Sequence, residues 1–145
     1  MLAAMQKLSA SLLLLLVLIP AALAQSRVTA VKVESLLDLN AILITEVDVI
    51  FVYDPALQLP ETKSDWYSER EAFITANADR LDVVTLSAPQ GFVERNLVLP
   101  ERHGEAVKVL VTAYHDGGTV KLRDVSARTG VLVQIQPWGI QIGDL

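Results

Sequence analysis

No cysteine occurs among the 145 residues. That excludes a thiol nucleophile, a thiolate metal site, any disulfide, and a lipid attached through an N-terminal cysteine. Histidine is almost as scarce, with only His103 and His115. Glu101, His103 and Glu105 alternate near Pro100 and Gly104, and His115 precedes Asp116, so a metal could draw them together, but a solvated link and a hairpin shoulder explain the same residues and are the favoured reading. Ser68, Ser87 and Ser126 have no histidine beside them and no nucleophile elbow around them. The carboxylates are scattered, which leaves no acid/base pair to propose. There is no glycine-rich phosphate loop, no internal repeat and no low-complexity segment. No long basic run exists either, so neither nucleic acid nor an anionic membrane surface is expected as a partner. By elimination the chain reads as a binding or structural module rather than an enzyme, with no metal and no cofactor expected.

What is present begins with residues 1–24. Lys7 gives a short basic start, Leu12 to Ile19 form an apolar core, Pro20 breaks it, and Ala22-Leu23-Ala24 is the small-x-small pattern that precedes signal-peptide cleavage. The run from Leu8 to Leu23 is shorter than the roughly 20 apolar residues of a spanning helix. The expectation is a secretory signal peptide cleaved after Ala24, with Gln25 as the first mature residue and a periplasmic or secreted address. This leader inflates the 52% apolar composition and the mean hydropathy of +0.40. Residues 25–145 then make one domain, with 11 basic side chains against 17 acidic ones once Lys7 is removed. A domain of this size buries about two-thirds of its unfolded surface, so packing alone can stabilise it.

The mature chain reads mainly as strand. Val28 to Val33 alternates, and Leu36, Leu37 and Leu39 extend that segment towards Asn40. Val47, Val49, Phe51 and Tyr53 fall at period two, opposite Asp48 and Asp54, with Ile50 and Val52 making the outer face partly apolar too. A proline-marked loop from Pro55 to Lys63 leads to an amphipathic helix over about Asp65 to Arg80, capped by Ser64 or Asp65, with Trp66, Phe73, Ile74 and Leu81 on one stripe. That stripe reads best as a helix lying on a sheet. Asp82 to Leu86 and Phe92 to Leu99 are read as a strand and its return around Ala88-Pro89-Gln90-Gly91. Val107 to His115 points Val107, Val109, Val111 and Ala113 inward, and His115-Asp116-Gly117-Gly118-Thr119 is a hairpin signal of the kind that tolerates positive φ, continued by Val120 and Leu122. Val131 to Gln136 and Ile140 to Ile142 form the last pair through Pro137-Trp138-Gly139. About eight short strands and one inserted helix favour a two-sheet β-sandwich, with an up-and-down barrel as the alternative.

The order of these features carries a resemblance over nearly the whole mature chain. Leu37-Asp38-Leu39-Asn40, the run Val47 to Tyr53, the Trp66-Tyr67 helix, and the segments Asp82 to Leu86, Phe92 to Leu99 and Val107 to Tyr114 resemble the TssJ family, the outer-membrane lipoproteins of the type VI secretion system. The resemblance implies a transthyretin-like β-sandwich in the periplasm that grips the periplasmic domain of a TssM-like inner-membrane protein, a membrane-complex component. It also implies a partner contact in the loop between the first two strands, here Asn40, Ala41, Ile42, Leu43 and Ile44 on the way to Glu46. Two departures stand out. Ala24-Gln25 occupies the place of the lipidated cysteine, so no lipid anchor is expected. The loop is also apolar rather than long and polar, so Ala41 to Ile44 either forms an exposed docking knob or continues a strand into the core, and the run of four apolar residues favours the core. A periplasmic small-ligand carrier or adaptor is the alternative function, using the sandwich interior or the Trp66 helix as a lid, with an apolar pocket lined by Trp66, Phe73 and strand residues.

Overall fold

The computed structural model describes residues 24–145, and the leader reading falls almost wholly on residues outside them. The described residues form a mainly β fold of eight strands and one α-helix: β1 Ala30–Ser35, β2 Thr45–Val52, α1 Lys63–Ala76, β3 Leu81–Ala88, β4 Glu94–Asn96, β5 Lys108–Ala113, β6 Arg123–Asp124, β7 Gly130–Gln136 and β8 Gly139–Asp144. A short 3₁₀ turn at His103–Glu105 precedes β5. The strands make two four-stranded sheets, ordered β4-β1-β7-β8 and β3-β2-β5-β6. All pairings are antiparallel except β1 with β7. This is a two-sheet sandwich with edges, not a closed barrel.

Alternation sets the inner faces. Val31 and Val33 of β1, Val47, Val49 and Phe51 of β2, Val109 and Val111 of β5, and Val131, Val133 and Ile135 of β7 meet in one buried core. Lys32 and Glu34 of β1 point away from it, and Lys32 pairs with Glu94 on the neighbouring strand at 2.7 Å. On β2 the alternation is hidden because both faces are covered. Ile50 and Val52 are buried with Trp66 and Leu110 in a second cluster between the sheet and α1, and Asp48 lies on that same outer face at 0% exposure. A strand buried on both sides reads as a continuous apolar run.

Several sequence expectations are corrected. The helix starts at Lys63, with Thr62 as N-cap: its hydroxyl accepts from the Asp65 N–H at 3.2 Å and donates to the Asp65 carboxylate at 2.6 Å. Asp65 therefore sits inside the first turn instead of capping it. The helix ends at Ala76 rather than Arg80 because Asn77 caps it, its backbone N–H donating to Ile74 O and its side chain to Phe73 O. β1 stops at Ser35, short of Leu39. The segments Asp82 to Leu86 and Phe92 to Leu99 are not a hairpin: β3 pairs with β2, while β4 crosses to the other sheet and pairs with β1. The Pro89 turn that joins them closes with Phe92 N–H donating to Pro89 O at 3.0 Å, with Gly91 at φ +79. Gly117 and Gly118 are not at positive φ. The loop instead meets the helix start through the Gly118 carbonyl, which accepts from the Ser64 N–H at 3.1 Å. The partner strand there is only Arg123–Asp124, without Val120 or Leu122.

Candidate functional site

One end of the sandwich collects the β1–β2 loop, the β3–β4 corner, the start of the β5–β6 loop and the tip of the β7–β8 hairpin. The topology requires this, since β1 and β7 run parallel and the β1–β2 loop carries the chain from one sheet to the other. In the loop, Asp38 makes a local turn, its carboxylate accepting from Asn40 N–H at 2.8 Å and its carbonyl from Ala41 N–H at 2.9 Å. Leu37 packs against the main core, which pins the loop base. Gln90 from the neighbouring corner donates to Asn40 O at 3.3 Å.

The five residues expected to contact a partner lie on this end. Ile42 is 89% exposed and Ile44 66% exposed, Asn40 is exposed, and Ala41 and Leu43 are half-buried. Continuation of Ala41 to Ile44 as a core strand is therefore overturned. β2 begins only at Thr45, because that is where pairing with Ala88 starts and where burial begins. Leu36, Leu39 and Val93 are also exposed at this end, Trp138 stands at the hairpin tip at 77% exposure, and Tyr114 is exposed after β5. Of the nine large apolar side chains that are exposed among the described residues, all but Val98 and Leu145 sit at this end.

His115 and Asp116 hold the loops together. His115 Nε2 faces the carbonyls of Gln136 at 2.9 Å and Gly139 at 3.0 Å, which requires the ring proton there. Nδ1 lies within hydrogen-bond distance of the Thr45 hydroxyl, at 2.6 Å. One imidazole thus ties the start of β2 to the β7–β8 hairpin across the two sheets. Asp116, 4% exposed, accepts from Ile140 N–H at 2.8 Å, while its other oxygen lacks a hydrogen bond and lies 3.6 Å from Arg123. Gly139, at φ +154, leaves no room for a side chain, since a Cβ there would stand 2.0 Å from the Asp116 carboxylate.

The helix beside this end is fastened by a buried carboxylate. Asp48 accepts from Trp66 Nε1 at 2.9 Å, from Thr85 Oγ1 at 2.6 Å and from Arg70 at 3.1 Å, and Arg70 also reaches Glu46 at 3.0 Å. Burial works against the Arg70 charge, but the Asp48 and Glu46 carboxylates outweigh it and raise its pKa. Burial, reinforced by the Asp48 charge, also pushes the Tyr67 phenol up, so it stays protonated. Tyr67 meets Tyr114 edge-on at 5.2 Å, and with Glu46 and Arg70 the two rings border an open cleft of about 440 Å³. Trp66 is fully buried, so it is part of the wall and not a mobile lid.

The other sequence candidates do not converge. His103 Nδ1 donates to Pro100 O at 2.9 Å, and His115 lies beyond the far end of β5. No group of three or more metal-type side chains gathers among the described residues. Sequence reasoning missed the Asp48 and Asp116 networks. For Asp48 a signal existed, since a carboxylate within the run Val47 to Val52 needs donors wherever the strand is covered on both faces.

Comparison with protein families, with curated proteins and with solved structures finds no match. The functional reading therefore stands on geometry and on the order of elements.

Proposed function

We propose that this chain is an exported protein–protein interaction module that docks through the apolar loop end of its sandwich. The observation that carries the reading is the gathering of Leu36, Leu39, Ile42, Ile44, Val93, Tyr114 and Trp138 on one end. Exposed apolar residues scattered singly are ordinary, but their concentration at one end of the sandwich favours an interaction site, because each such side chain left in water forgoes burial. The loops are held by His115, Asp38 and Gln90, which limits the ordering entropy that docking costs.

The resemblance to TssJ gives the partner its identity in this proposal: the periplasmic domain of a TssM-like protein, gripped by the loop Asn40 to Ile44. The exposure of Ile42 and Ile44 supports that placement. The leader pattern supports a periplasmic address, and Ala24-Gln25 supports a mature protein without a lipid anchor. Among the described residues, no helix is long and apolar enough to cross a membrane.

The test is capture of a purified TssM-like periplasmic domain by the wild-type chain and by an Ile42→Ser/Ile44→Ser variant. Both substitutions lie in solvent, so stability should change by no more than about 0.5 kcal/mol each, while capture should fall at least tenfold. Equal capture by both proteins, or by neither, would overturn the proposal.

A further inference from the structure

The four edge strands differ in how their outer backbone groups are satisfied. β4 and β6 are only three and two residues long. In β8 the outward N–H and C=O of Ile140 are taken by the Asp116 carboxylate and the Arg123 guanidinium, which act as a surrogate neighbouring strand. Only Ile142 and Asp144 remain open there, beside a charged side chain. β3 is eight residues long and lacks such cover. Tyr53 N–H donates to Arg80 O, which fixes the alternation: Asp82, Val84, Leu86 and Ala88 bond to β2, while Val83, Thr85 and Ser87 direct their N–H and C=O outward. Among the described residues, none of those six groups has a hydrogen-bond partner. β3 also contains no proline, lysine or bulge, the usual protections of an exposed edge.

We propose that this chain forms a homodimer by antiparallel pairing of β3 with β3 of a second copy, centred on Thr85. The register follows from the strand itself. Thr85 faces Thr85 of the second copy, Val83 faces Ser87, and all six open groups on each chain find partners. Val84 comes opposite Leu86 on the core side of the sheet. Asp82 comes opposite Ala88, so no like charges are juxtaposed, and a Thr–Thr pair is a favourable cross-strand contact. Moving the centre to Val83 recruits Leu81, whose N–H already donates to Asn77 O at 3.1 Å. Moving it to Ser87 recruits Pro89, which has no N–H. The second copy joins two four-stranded sheets into one of eight.

Sedimentation equilibrium of the exported chain should give twice the monomer mass, and Ser87→Pro should weaken association at least tenfold. Ser87 N–H makes no bond to β2, and the two-fold symmetry makes each substitution count twice. Because the chain has no cysteine, a single Thr85→Cys introduces the only thiol. Its Cα should lie ~5.5 Å from its counterpart, within disulfide reach, so oxidation should give a covalent dimer. Ser87→Cys, offset from its copy by four residues or ~13 Å, should stay uncrosslinked and shows that the fold tolerates a thiol nearby. The Ile42→Ser/Ile44→Ser variant should remain dimeric. A monomer at every concentration, crosslinking at position 87 in place of 85, or a monomer whose β3 instead takes up an added extended peptide would each overturn self-pairing.

Discussion

Replacing Asp48 with alanine removes the one acceptor shared by three donors, two on α1 and one on β3. Trp66 Nε1 is the costliest orphan, because Trp66 is 0% exposed and no water reaches it. A buried donor left without a partner costs ~1–3 kcal/mol. Arg70 is 22% exposed and keeps Glu46, so it is left partly compensated, and Thr85 is exposed enough to turn to solvent. Breaking a buried ion pair from one side typically costs ~3–5 kcal/mol, and the remaining contacts of Arg70 and Thr85 place Asp48→Ala near the lower half, about 3–4 kcal/mol. Asp48→Asn keeps one acceptor oxygen and should cost about half as much. Urea unfolding followed by tryptophan fluorescence measures both, since Trp66 moves from the interior to water while Trp138 is exposed throughout. The cost of Asp48→Ala should shrink by about 1–2 kcal/mol in an Arg70→Met background, where no buried cation is stranded. A loss below 1 kcal/mol for Asp48→Ala, with the fold retained, would show that the network is not what fastens α1 to the sheet.

Other perturbations should separate local geometry from burial. Gly139→Ala adds a Cβ where the Asp116 carboxylate stands and imposes a φ that favours glycine, so it should cost about 2 kcal/mol or more by thermal unfolding. Thr62→Ala removes the N-cap acceptor of α1 and should cost about 1 kcal/mol in the same assay. The Asp54 carboxylate is held below its ordinary value of 3.8 by the Ala56 N–H and then by Arg80. Its contribution is therefore present above that value and is lost as pH falls through the depressed one, so Asp54→Asn should lower stability at pH 7 and progressively less as the pH is taken below 3.8. Trp138→Ala, at an exposed hairpin tip, should leave the melting temperature nearly unchanged and weaken partner capture.

Much of the fold is legible in the sequence because it depends on short-range periodicity. The inward valines of β1, β2, β5 and β7, the proline-marked loop, the aromatic stripe of α1 and the Pro137-Trp138 hairpin follow from alternation, helical spacing and turn chemistry. Tertiary structure alone decides which strands pair. Phe92 to Leu99 looks like the return of a hairpin, yet it crosses to the other sheet, where Val31 and Ser35 supply its ladder partners. Ala41 to Ile44 is the sharpest case. Hydrophobicity directs it inward, but the loop must carry the chain between two sheets, and only the place where β2 meets Ala88 settles that Ile42 and Ile44 stay in solvent. The run Val47 to Val52 marks Asp48 as a carboxylate in need of donors but not which ones, and nothing local marks Asp116, since their donors lie 18 to 37 and 24 residues away and converge only when the layers pack.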